Sequence, residues 1–323
     1  MPSFDRVLGL EEAKAELAEA VARCRIHHAY LFEGARGSGR TTLARAFAAA
    51  VLDAAEAPEE ALADHPDFLE LPRDVPTLRI GRFVSREGDG GESIQHPPVV
   101  QFLQRKPLRS ARAVCLVPDA ERMGEAAANA FLKTLEEPPG NGVVLLTTAA
   151  RQRLPATIVS RCRRIRVPPL PTATVAAELE ARSVASGEEA LALALASEGS
   201  LGTALAMASE SAAEDWAWMA EGLTELTPSG ALRLAEGLVE RMREAGGDAR
   251  KRRQTATALL DLMALHIRRR LREGLGPQAG AQALACLWEA GERLAANVRP
   301  ELVLHAATFD TFAALRADAA ASA

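Results

Sequence analysis

Nine residues near the start of the chain, GARGSGRTT at 34–42, have the make-up of a phosphate-binding loop. Gly34, Gly39 and Thr41 meet the spacing G-x-x-x-x-G-[K]-[ST], with Arg40 where lysine belongs. Gly34, Gly37 and Gly39 would let backbone N–H groups converge on phosphate oxygens, and a following helix would add a favourable dipole. Thr41, with Thr42 beside it, sits where a hydroxyl would hold Mg²⁺. Arg40 keeps the positive charge, but its planar head does not reproduce a compact ammonium between two phosphates. The same glycines also suit a turn that never meets a nucleotide. A second candidate is Pro118-Asp119, at the end of the apolar run AVCLV at 113–117. A buried strand that delivers an acidic pair to the mouth of a sheet is where a nucleotide-binding fold holds its metal, and here the first of the two is proline. GVVLLTT at 142–148 also ends in hydroxyls, Thr148 last, at the end of a strand where open α/β sheets bind ligands.

These residues need strands and helices to hold them. Leu10, Ala13, Leu17, Ala20 and Val21 mark an amphipathic helix, and AYLFEG after His27-His28 reads as a strand. The paired histidines have no third ligand nearby, so packing at a helix end is the plainer reading. Strand, glycine-rich loop, then the helix LARAFAAAVL is the order a phosphate loop requires. Residues 53–63 are acidic and alanine-rich and read as a surface helix, HPDFLEL at 65–71 reads as a turn then a short strand, and 88–91 as a flexible turn or a small insertion. Residues 99–103 fit a helix ended by Lys106-Pro107. Met123, Ala127, Ala130, Phe131 and Leu135 share one face of the next helix, while Glu125, Asn129, Lys133 and Glu136 share another. LPATIVSRC at 154–162 leads to a basic strand at 163–167 and a stiff break at 168–171.

Beyond the break the pattern is helical. Helices are expected over 175–186, 188–198 and 201–209, then longer ones broken at Thr227-Pro228, Gly246-Gly247 and Gly276-Pro277. Trp216, Trp218 and Trp288 are expected to anchor helix packing. The basic runs at 250–253 and 268–270 suit a solvated helical face or, alternatively, contact with nucleic acid or a partner.

The chain's 323 residues exceed one ordinary core, so two or three domains are expected. A net charge of −5 advertises no global field for nucleic acid. No apolar run approaches the length of a membrane span, and the N-terminus lacks a signal-peptide core, so a cytoplasmic protein is expected. Cys24, Cys115, Cys162 and Cys286 are scattered singly and read as buried, reduced thiols. The 34 arginines against 4 lysines warn against reading function into every arginine.

Taken in order, HHAYLFEGARGSGRTTLARAFA, PDAERMGEAAANAFLKTLEEPP, LLTT and LPATIVSRC resemble the bacterial clamp-loader family of AAA+ proteins. The resemblance covers about 5–170 directly and the helical remainder by order and size. It implies an α/β fold: an AAA+ P-loop parallel-sheet domain at 1–168, a small helical lid at 169–212 and an all-α collar at 213–323. In the family's ATP-hydrolysing gamma/tau subunits the 113–117 strand would end in Asp-Glu; here Pro118 takes the metal-binding position and Asp119 the next. The lid's Gly-Ser-x-Arg becomes Gly199-Ser200-Leu201-Gly202, with glycine for arginine. With Arg40, three charge-handling positions are weakened, so the resemblance implies a subunit that needs no cofactor of its own, with residual ATP or ADP binding left open. Arg161, between Ser160 and Cys162, matches the arginine that the family projects into a neighbour's ATP site, and the resemblance turns the helix of Lys133 towards a neighbour or the nucleotide. For Arg161 a surface ion pair is the plainer alternative, and for Lys133 packing. The cysteine zinc module that the family places near 50–70 has no cysteine here, so no metal is expected. The partners implied are the loader's gamma/tau and delta subunits and, through the assembly, the sliding clamp and primed DNA, with no membrane. Two rivals stay open: an ATP-hydrolysing gamma/tau-type subunit, and a stand-alone nucleic-acid-binding module built on the basic runs.

Overall fold

The computed structural model describes residues 4, 7–54, 62–72, 77–84, 97–138, 140–208, 218–219, 221–224, 227–296 and 298–321. The chain divides into two compact units, Met1–Glu178 with Glu198–Thr203, and Leu179–Ser197 with Ala204–Ala323. Residues 55–61, the turn expected at 88–91 and Trp216 lie outside the described residues.

The first unit is built on five parallel strands: β1 (Ala29–Glu33), β2 (Phe68–Glu70), β3 (Ala113–Val117), β4 (Gly142–Thr148) and β5 (Arg163–Arg166), in the order β2-β3-β4-β1-β5. Alternation sorts the side chains between two cores. Leu31, Cys115, Val117, Val144 and Leu146 face helices α3 (Val99–Gln104) and α4 (Glu125–Glu136), where Phe102, Phe131 and Leu135 are buried. Tyr30, Phe32, Val114, Leu116, Val143 and Leu145 face α1 (Glu11–Ala22) and α2 (Arg40–Val51), meeting Leu17, Leu43 and Phe47. Burial on both faces explains why β1, β3 and β4 are apolar runs rather than alternating ones. Parallel pairing also puts every strand's carboxyl end on one edge, where the loops after β1, β3 and β4 gather. A short helix α5 (Ala156–Val159) precedes β5.

The entry to β3 rests on a group the sequence did not single out. Asp67 is fully buried, and its carboxylate accepts N–H bonds from Leu108 (2.7 Å), Arg109 (2.7 Å) and Ser110 (2.9 Å). Burial alone would raise its pKa, but the three backbone donors outweigh that and hold it below the ordinary aspartate value.

After the proline break come α6 (Thr172–Ala181), α7 (Gly187–Ala196) and α8 (Leu201–Met207), each shifted by a few residues from the expected bounds. Ser183, at φ 54°, turns the chain after α6 and ends it short of 186. In the second unit α9 (Pro228–Glu244), α10 (Ala249–Arg272), α11 (Pro277–Ala295) and α12 (Pro300–Ala321) pack around Leu234, Leu238, Met263, Leu287 and Leu304. Thr227 and Asp248 cap α9 and α10 through Gly230 N (3.0 Å) and Lys251 N (2.9 Å), so the expected breaks fall at real caps. Trp218 does anchor packing: a Cβ on Gly237 would stand 2.3 Å from its ring, and Arg241 stacks on it at 3.7 Å. Trp288 does not. It is 53% exposed, because α11 buries Ala283, Leu287, Ala290 and Leu294 at three- and four-residue spacing, and position 288 falls off that stripe. Cys24 is likewise exposed rather than buried, at the turn that ends α1. No helix among the described residues is long and apolar enough to cross a membrane.

Candidate functional site

The glycine-rich loop leaves β1 between its two sheet neighbours, β4 and β5. Gly34 N donates to Thr148 O (3.2 Å), and a Cβ on Gly34 would lie 2.3 Å from Val167 O. Gly37 and Gly39 take left-handed φ of 70° and 87°, and Gly39 caps α2. Gly34 is therefore required by contact, Gly37 by contact and backbone conformation together, and Gly39 by conformation. The hydroxyl of Ser38 is buried and has no hydrogen-bond partner. Thr41 is half-buried and Thr42 exposed.

Arg40 turns back into the loop. Only 6% of it is exposed; Nη1 donates to Gly34 O at 2.8 Å and Nη2 to Asp119 Oδ1 at 3.0 Å. Asp119 follows the buried Pro118 in a left-handed conformation (φ 48°, ψ 59°), with its N–H donated to Thr147 Oγ1 at 3.0 Å. Thr147, which alternation places on the α2 face of β4, thus joins the site. The expected Thr148 hydroxyl instead accepts from Ala150 N at 3.0 Å. On the loop's other side Ser200 Oγ donates to Arg36 O (3.0 Å) and Gly202 N to Gly37 O (3.2 Å), while Thr203 Oγ1 lies 2.7 Å from Ser200 Oγ. Gly202 packs so closely that a Cβ there would stand 3.1 Å from Gly37 Cα.

These residues do not fit a nucleotide with its metal. Pro118 offers no oxygen side chain, the cation of Arg40 is already engaged by a carboxylate, and Ser200 occupies the space over Gly37. Among the described residues no group of three or more His, Cys, Asp and Glu stands together as a metal site. His27 and His28 stack at 4.2 Å, with His27 Nδ1 close to Ala29 O and N. Burial first, then the charge of His27, lowers the pKa of His28.

Arg161 lies elsewhere. It follows α5 and precedes the amino end of β5, whose Arg163 pairs in register with Tyr30 near the start of β1. The loop stands at the opposite, carboxyl end, so about 13 Å of strand separates the two levels. Arg161 Nη2 donates to Glu136 Oε1 at 2.7 Å, and Nη1 donates to Thr157 O at 2.9 Å, with Ser160 Oγ at 3.5 Å. Cys162 is buried and Ser160 exposed. Lys133, Glu125, Asn129 and Glu136 form the exposed face of α4, as the spacing predicts.

Of the basic runs, Arg269 forms an exposed pair with Glu273 (2.7 Å) at the end of its own helix, while Arg270 donates to Leu223 O (3.1 Å) and so ties α10 to the segment at 221–224. Lys251 and Arg252 are exposed.

A parallel sheet in this strand order, with a glycine-rich loop after β1 that opens a helix, defines a P-loop α/β protein. The comparisons with known proteins narrow the class. A family model described as DNA polymerase III, delta subunit, matches residues 9–171, half of the chain; the chain belongs to that family, and so to the AAA+ proteins of clamp loaders. The chain is 31% identical to DNA polymerase III subunit tau of Escherichia coli over 254 residues, 76% of this chain and 39% of that protein. It is 33% identical to DNA polymerase III subunit delta′ of Pseudomonas aeruginosa over 215 residues, 62% of this chain and 61% of that one. The matches thus span less than two thirds of each relative's length. Among solved structures, a DNA polymerase III gamma subunit-related protein from Thermotoga maritima aligns with a TM-score of 0.47 and 21% identity, covering 94% of this chain and 99% of that one.

Proposed function

We propose that this chain is a delta-prime-like stator of the DNA polymerase III clamp loader, and that Arg161 completes the ATP site of a neighbouring gamma/tau subunit. The observation that carries this reading is Arg161's position. It stands at the amino end of the sheet while the chain's own phosphate loop stands at the carboxyl end, so a phosphate within its reach belongs to another molecule. Its ion pair with Glu136 is half-exposed, and such pairs are worth only about 0–1 kcal/mol, so the guanidinium is released at little cost. Pro118, Gly202 and the engaged Arg40 support a subunit that does not hydrolyse ATP itself. In this reading the parts at 1–168, 169–212 and 213–323 serve as ATPase-like domain, lid and collar, within a cytoplasmic assembly that places the sliding clamp on primed DNA.

The test is a loader reconstituted with Arg161→Ala. An arginine finger is worth about 10³- to 10⁵-fold in rate, so clamp- and DNA-stimulated ATP turnover at the completed site falls by roughly that factor. Unchanged stimulated turnover overturns the role. Similarity to subunits named tau favours a second reading, an ATP-hydrolysing gamma/tau-type subunit. ATP turnover by the purified chain alone, at rates ordinary for AAA+ proteins, would establish that one instead.

A further inference from the structure

We infer that Asp119 is the resident anion of the phosphate loop: its carboxylate holds the place at Arg40 that a phosphate would take, and so sets the loop against nucleotides. The inference concerns the chain's own loop and stands apart from the role given to Arg161. A guanidinium as buried as that of Arg40 needs a counter-charge, and Asp119 supplies it at 3.0 Å while Gly34 O takes the second nitrogen at 2.8 Å. The backbone, not the side chain, aims this carboxylate. Pro118 fixes the approach, the left-handed turn at Asp119 points the side chain inwards, and the bond from Asp119 N to Thr147 Oγ1 locks the turn. A left-handed aspartate is an uncommon conformation, maintained here by several contacts at once. Ser200 and Gly202 fasten the loop from the other side, through Arg36 O and Gly37 O. An incoming polyphosphate would therefore have to displace a part-exposed carboxylate from a buried guanidinium, and it would meet that like charge until it did so. The buried hydroxyl of Ser38, which would crowd any Cβ on Gly34 at 2.8 Å, is a donor within the loop left over for an anion once the carboxylate is gone.

The experiment titrates the full chain with inorganic pyrophosphate by calorimetry. Wild type is expected to bind weakly. Asp119→Asn removes the charge and keeps a residue type that tolerates the left-handed backbone, and it is expected to bind about tenfold more tightly or better. Its melting temperature falls, because the buried Arg40 has lost the Asp119 carboxylate, and pyrophosphate raises it again. Asp119→Gly, which also suits the backbone, makes the same test should the asparagine variant not fold. Adding Arg40→Gln to either variant abolishes the gain. The inference is overturned if folded Asp119→Asn or Asp119→Gly binds pyrophosphate no more tightly than wild type, or if the gain survives the loss of Arg40.

Discussion

Replacing Asp67 by asparagine should destabilise the first unit well beyond what so small a change suggests. Asp67 Oδ1 accepts one backbone N–H and Oδ2 two, all at 2.9 Å or less, within a fully buried site. Asparagine has one carbonyl oxygen. Placed at the Oδ2 position, it keeps two bonds without their charge, and its amide then points donors at the N–H of Leu108. Two charge-assisted bonds weaken and one buried donor is left facing another. At about 0.5–1.5 kcal/mol for each loss of charge assistance and 1–3 kcal/mol for an unsatisfied buried donor, the total is about 4 kcal/mol. For a unit of this size that lowers the melting temperature by roughly 8–16 °C. Urea unfolding at neutral pH, comparing midpoint and slope, measures it directly. A loss below about 0.5 kcal/mol would refute the reasoning, since the three bonds would then contribute nothing beyond a neutral turn. The pH dependence has a definite sign. The folded pKa of Asp67 is depressed, so its contribution is complete above the unfolded value and fades as pH falls through the folded one. The gap between wild type and Asp67→Asn should therefore close on acidification.

Gly37→Ala would put a Cβ 2.2 Å from Ser200 Oγ at a residue with φ 70°, so a loss of at least about 1–2 kcal/mol in a thermal melt is expected; an unchanged melt would mean that Ser200 does not pack on the loop. Burial pushes the Cys162 thiol up to about 12, and burial with the charge of Glu70 raises that of Cys115 as well, whereas Cys24 is exposed. A thiol reagent on the native chain should modify Cys24 quickly and spare Cys115 and Cys162; equal rates at Cys24 and Cys162 would contradict the buried setting of the latter.

Much of the first unit was legible because strands buried on both faces read as apolar runs, and because the glycine-rich loop has few conformational alternatives. AVCLV, GVVLLTT and GARGSGRTT each announce themselves within ten residues. What stayed hidden depends on partners far away in the chain. Asp67 looks like an ordinary turn residue until the backbone 41–43 positions later folds onto it. Ser200 reaches a carbonyl 164 positions earlier. Thr147 could have been preferred to Thr148 from the sequence, since alternation from Val143 and Leu145 puts it on the α2 face. Arg40 was legible as a cation in an unusual place; that its counter-ion would be Asp119 was not, because nothing local signals the left-handed turn after Pro118.

The clasp of Ser200 and Gly202 on the loop has a consequence for how the molecule comes into being. On the ribosome Gly37 emerges long before Ser200, and at about 5–20 residues per second the interval is on the order of ten to thirty seconds. Throughout that time the glycine-rich loop lacks its downstream half, so the nascent chain holds an open loop that the finished protein does not. A protein cut after Glu178 would stay in that immature condition permanently.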